Sequence, residues 1–130
     1  MINVHRMTDT FLDLVQIDSV SREESRLAAY LKKQLDLLGA ETVFDGSAPQ
    51  TGSDTGNLIA RIKGSSDRAP LLFSAHMDTV EPGRGIKPVL TNGRITSDGT
   101  TILGADDKSA IAINGCNEDR RDALDATDTD

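Results

Sequence analysis

Tryptophan is absent from this 130-residue chain, tyrosine occurs once, and aromatic residues make up 3% of it. So few rings provide no stacking platform for single-stranded nucleic acid. Positive charge is also short: 14 Lys and Arg stand against 21 Asp and Glu, a formal net charge of -7. A surface that displaces counterions from phosphate needs the opposite balance, so no nucleic-acid partner is expected. The single cysteine, Cys116, excludes a disulfide within the chain and a cysteine-built zinc site. It fits a reducing compartment. The amino-terminal stretch MINVHRMTDTFLDLV contains no long apolar run. Neither a signal peptide nor a membrane span is expected, and the cytoplasm is the expected location.

What remains is a soluble, globular composition, 37% hydrophobic and 27% charged, of a length that suits one small domain. A short helix is expected over Asp9 to Val15, capped by Thr8. Ser21-Arg22-Glu23-Glu24 has the form of a capping box and predicts a helix from Arg22 to about Leu38. Leu27, Tyr30, Leu31, Leu35 and Leu38 form its apolar stripe, and Gly39 is the stop. Strands are expected at Glu41–Phe44 and Asn57–Ile62, with a Gly/Ser/Pro-rich loop, Asp45 to Gly56, between them. Pro70 to Ala75 is the most apolar run and reads as a buried central strand. Asn92-Gly93, flanked by Val89–Thr91 and Arg94–Thr96, is a hairpin signal. DDKSAIAI, from Asp106, reads as a helix with acids in its first turn.

Two segments carry chemistry. SAHMDTV follows the apolar run, and in an extended segment His76 and Asp78 point to the same side. A neutral imidazole is a good zinc ligand, and a neighbouring carboxylate fixes its tautomer. Taken alone, His-x-Asp is as readily a pair that closes a loop. LGADDKSA places Asp106 and Asp107 where a helix begins. There a carboxylate can bind a cation or simply cap the helix.

Together, SAHMDTVEPGRGIKP, NGRITSDGTTILGADDKSAIA and the earlier FLDLVQIDSVSREE resemble the zinc peptidase family of peptidase T, aminoacylases, succinyl-diaminopimelate desuccinylase and glutamate carboxypeptidases. The likeness is to the peptidase T-like branch and runs to about Ile113. It implies an α/β fold: part of a catalytic domain with a mixed, mainly parallel sheet flanked by helices, lacking the inserted lid or dimerisation domain. It implies two zinc ions, with His76 as a metal ligand, Asp106 as the carboxylate that bridges the metals, and Asp78 as the catalytic-site acid supporting His76. Asp107 and Lys108 match flanking positions that are not ligands. Thr79 and Thr100-Thr101 read as shaping residues or simple loop packing. The implied activity is hydrolysis of short peptides by metal-activated water, with a glutamate as general base. An acyl-amino-acid amidohydrolase of the same family is the alternative.

The chain departs from that pattern downstream. No Glu-Glu pair follows Asp106, and the later acid and distant His are missing; Glu118-Asp119 comes too soon, and His5 reads as a surface residue. Residues 1–113 are therefore expected to be the amino-terminal part of the catalytic domain, and 114–130 a polar, disordered or unrelated tail. A truncation, a frameshift or a fragmentary gene would produce that switch. The chain by itself is expected to be inactive and to bind at most one metal.

Overall fold

A computed structural model describes residues 3–64 and 68–115. Helix α1 spans Val4–Val15 and begins earlier than the sequence suggests. Its N-cap is Asn3, whose side chain accepts from the Arg6 amide at 3.1 Å, so Thr8 lies inside the helix. Helix α2 spans Ser25–Leu37 and begins later than expected. The capping box does not form, because Arg22 takes a left-handed conformation (φ 77°) and Ser21 turns elsewhere. The α2 cap comes from the loop before β2: Asp54 accepts from the Ser25 amide at 2.9 Å and its hydroxyl at 2.6 Å. Gly39 (φ 73°) ends the helix as expected.

Strand β1, Glu41–Phe44, pairs antiparallel with β2, Leu58–Arg61, in the register Glu41 to Arg61. The connecting loop contains one unforeseen helical turn, α3, Ala48–Thr51. Helix α2 is tied to β1 by Lys32, which donates to Asp36 at 2.7 Å and to Thr42 at 2.9 Å. Strands β3, Pro88–Thr91, and β4, Arg94–Ser97, form the expected hairpin. Asn92 (φ 51°) and Gly93 (φ 74°) supply the two left-handed residues its tight turn requires.

Helix α4 spans Ala105–Gly115, but Asp106 and Asp107 have non-helical angles, so regular helix begins at Lys108. The expected boundary at Ile113 falls inside α4. Residues 116–130 of the expected tail lie outside the described residues. The core forms where α1, α2 and α4 meet. Leu14, Leu27 and Ala112 are buried there, with Phe11, Ile17, Tyr30, Leu31, Met77 and Ile111 packed around them.

The chain has the mixed helix-and-strand character expected of an α/β fold. Among the described residues, however, its ladders are antiparallel, and the one parallel contact is an isolated bridge between Val20 and Thr79. The expected buried strand at 70–75 is also corrected. That segment belongs to no described ladder, and Leu71, Leu72 and Phe73 are 79%, 94% and 60% exposed. Its hydropathy signals a surface that favours cover, but hydropathy does not supply the neighbouring strands.

Candidate functional site

Three backbone segments converge around His76. The first is the chain from Met77 to Thr79, strapped by the loop between α1 and α2. The Thr79 amide donates to the Ser19 carbonyl at 2.9 Å, and the Ser21 amide donates to the Thr79 carbonyl at 3.1 Å. The Ser19 hydroxyl donates to the Met77 carbonyl at 2.9 Å. Ser19 and Thr79 are buried, so these bonds satisfy groups that water cannot reach.

The third segment is the entry to α4. Gly104 (φ 74°) lets it approach closely: a Cβ there would lie 3.2 Å from the Thr79 methyl and 3.4 Å from Ile86. Lys108 lies fully buried beneath, and its ammonium donates to the Ile17 carbonyl at 2.8 Å. Burial pulls its pKa down to about 8, against the opposing charge of Asp18. Asp106 has an extended backbone (φ -90°, ψ 104°), and its carboxylate meets the imidazole.

The side chains of His76, Asp78 and Asp106 come together. His76 Nδ1 lies 3.0 Å from both the Asp78 carbonyl and Asp78 Oδ1, and Nε2 lies 3.0 Å from Asp106 Oδ1. Asp78 Oδ2 accepts from the Ser21 hydroxyl at 2.5 Å. Burial opposes protonation of the ring, but the hydrogen bonds to Asp106 and Asp78 outweigh it and raise the His76 pKa. The Ser21 hydroxyl, followed by the His76 ring, lowers the Asp78 pKa. Asp106 is the open side of the cluster, its side chain 95% exposed.

This arrangement has one chemical requirement. Both neighbours of Nδ1 are acceptors, so Nδ1 carries the hydrogen. The Nε2 lone pair then faces a carboxylate oxygen, and those two acceptors need a cation between them: a second ring proton or a metal ion. Two donors on one tetrahedral zinc lie roughly 3.3 Å apart, close to the 3.0 Å between Nε2 and Oδ1. His76 and Asp106 thus fit as two donors of a metal site. Asp78 fits as the carboxylate behind the imidazole. Among the described residues, no group of three or more His, Cys, Asp or Glu side chains could hold a metal by itself.

The other sequence candidates fall outside the cluster or only shape it. His5 is exposed on α1. Thr79 packs and pairs with the strap, and its hydroxyl lies 3.4 Å from the Ser19 carbonyl. Thr100 and Thr101 bond within their own loop, to Asp98 at 2.5 Å and to Ile102 at 2.8 Å. Sequence reasoning missed Ser19, Ser21 and the buried Lys108. Lys108 was within reach of sequence reasoning, since it lies three and four residues before Ile111 and Ala112 on the packed side of α4. Ser21 lies 57 residues from Asp78, and no local pattern signals that pairing.

No family model matches the chain. A Bacillus subtilis (strain 168) protein, "Uncharacterized protein YqjE", is 46% identical over 86% of this chain and 30% of its own length. Peptidase T of Clostridium perfringens (strain SM101) is 29% identical over 82% of this chain and 35% of its own length. Among solved structures, an aminopeptidase PepT from Bacillus cereus ATCC 10987 superposes with a TM-score of 0.89 at 40% identity, covering 95% of this chain and 34% of its own. A tripeptidase from Staphylococcus aureus Mu50 gives 0.90 at 37% identity, covering 96% of this chain and 34% of its own. The chain spans about a third of the length of the relatives it matches.

Proposed function

We propose that this chain, similar to peptidase T-like proteins over the third of their length that it spans, carries one wall of the active site of a zinc-dependent peptidase acting on short peptides. The observation behind this reading is the 3.0 Å approach of His76 Nε2 to Asp106 Oδ1, made across 30 residues of sequence with Asp78 behind the ring. In the full site of two zinc ions, His76 and Asp106 would hold the metal, and Asp106 would be the carboxylate shared between the ions. Zinc, when bound, supplies Lewis acidity toward water and toward the peptide carbonyl. Asp78 would keep the ring proton on Nδ1 and so leave Nε2 of His76 available to hold the ion. The exposure of Asp106 leaves room for further ligands and for substrate.

The general base and remaining ligands are to come from the part of the fold this chain does not span, as residues after Asp106 include no Glu-Glu pair. Residues 1–113 serve in this reading as the amino-terminal part of the catalytic domain. The cytoplasm is the location we propose for it. Among the described residues, no helix is long and apolar enough to cross a membrane.

A chimera tests the reading. Residues 3–113 replace the matching third of the Bacillus cereus aminopeptidase, and tripeptide hydrolysis is followed with zinc present. Turnover that disappears with His76→Ala or Asp106→Ala is the expected result. A folded chimera whose turnover survives both substitutions would remove these residues from the site. The chain by itself should show no turnover.

A further inference from the structure

We propose that Ser21 is a positioning residue, whose hydroxyl fixes the Asp78 carboxylate and through it the tautomer and aim of His76. This inference rests on the reading of His76 as a zinc ligand and adds a residue to it.

The geometry is a line of three contacts. Ser21 Oγ donates to Asp78 Oδ2 at 2.5 Å, Asp78 Oδ1 faces His76 Nδ1 at 3.0 Å, and His76 Nε2 faces Asp106 Oδ1 at 3.0 Å. The middle group needs an anchor. The last torsion of an aspartate joins sp³ to sp² carbon and has a broad, roughly two-fold profile, so rotamer preference alone does not fix the carboxylate plane. Packing does not fix it either, because the Asp78 side chain is 39% exposed. With one oxygen held by Ser21, the other is held in the direction of Nδ1. Without that bond the carboxylate can turn toward water, and Nδ1 keeps only the Asp78 carbonyl as acceptor.

The strap makes this role separable from folding. The bonds that tie Ser19 and Ser21 to the backbone of residues 77–79 come from backbone groups and the Ser19 hydroxyl. None of these uses the Ser21 hydroxyl, which bonds the Asp78 side chain instead. Ser21 is exposed, so an added methyl group meets solvent.

The test compares Ser21→Thr with Ser21→Val, which have the same shape and differ by the hydroxyl. The first readout is metal-free. Long-range ¹H–¹⁵N spectra of the full chain, above the pH at which the ring titrates, report which nitrogen carries the proton. The chain has 2 histidines, and the exposed His5 is an internal control. Wild type and Ser21→Thr should hold the His76 proton mainly on Nδ1, and Ser21→Val should move the population several-fold toward Nε2, with His5 unchanged. The second readout is calorimetric zinc affinity, expected to fall about tenfold in Ser21→Val, the lower end for groups that support a ligand, and to be retained in Ser21→Thr. Circular dichroism checks that both variants fold. Should Ser21→Val unfold the chain, the strap account is wrong and the inference fails with it. An unchanged His76 tautomer in folded Ser21→Val also overturns the inference, and does so even if zinc binds as expected. Absence of zinc binding in wild type would overturn the ligand reading, while the metal-free spectra would still decide the role of Ser21.

Discussion

The two sides of His76 differ sharply in how they are held. Before it, Leu71, Leu72 and Phe73 are apolar and 79%, 94% and 60% exposed, with no described strand beside them. After it, Met77 packs into the α1–α4 core, and Thr79 is 3% exposed and bonded to the strap at Ser19 and Ser21. The side that looks like core by hydropathy is bare, and the side with the polar sequence is fixed. The site in this chain is therefore held by satisfied polar groups and one small core. The apolar run contributes little until something covers it.

The largest effect should come from the base of the strap. Lys108 donates to the Ile17 carbonyl and is buried, with its pKa pulled down to about 8. An unfolded lysine keeps its proton to about pH 10.4. Between those values the unfolded chain binds more protons than the folded one, so stability should rise with pH across that window. The rise should be on the order of 3 kcal/mol, and absent in Lys108→Met. Urea unfolding of both proteins at pH 7 and pH 10 measures it. Equal slopes would mean that Lys108 reaches water.

Next come matched truncations on the two sides of the histidine. Met77→Ala should cost about 2 kcal/mol, because Met77 packs on the core. Leu72→Ala should fall within about 0.5 kcal/mol, because so little of Leu72 is covered. Denaturant midpoints compare them directly, and similar costs would erase the contrast between the two sides. The smallest of these losses that remains measurable should be Ser19→Ala. It removes the donor to the buried Met77 carbonyl and should cost about 1 kcal/mol. If its cost is no larger than that of Leu72→Ala, the strap is not what holds the segment.

The parts of the molecule legible in the sequence were those set by local rules. Asn92-Gly93 demanded a tight hairpin and made one. Gly39 ended α2, and the His-x-Asp spacing did place both side chains together. The approach of Asp106 to His76 was legible only through the pairing of two motifs, since each alone had an ordinary structural reading. What the sequence hid was non-local. Asp54 caps α2 from 29 residues away, which left Ser21 free for Asp78. The two aspartates after Gly104 resembled an N-terminal helical turn, yet Asp106 adopts an extended backbone that carries its carboxylate to the imidazole. Pro70 to Ala75 carried a correct statement of preference, apolar and suited to burial, with no information about which residues would bury it.

Zinc titration of the full chain by calorimetry, with His76→Ala and Asp106→Asn beside the wild type, is the most direct test of a shared cation between imidazole and carboxylate. The account predicts one weak site per chain, weakened at least tenfold by either substitution. Because the proton and the metal compete for Nε2, binding should also weaken as pH falls through the raised pKa of His76. Wild-type affinity in both variants, or affinity indifferent to pH across that range, would contradict it.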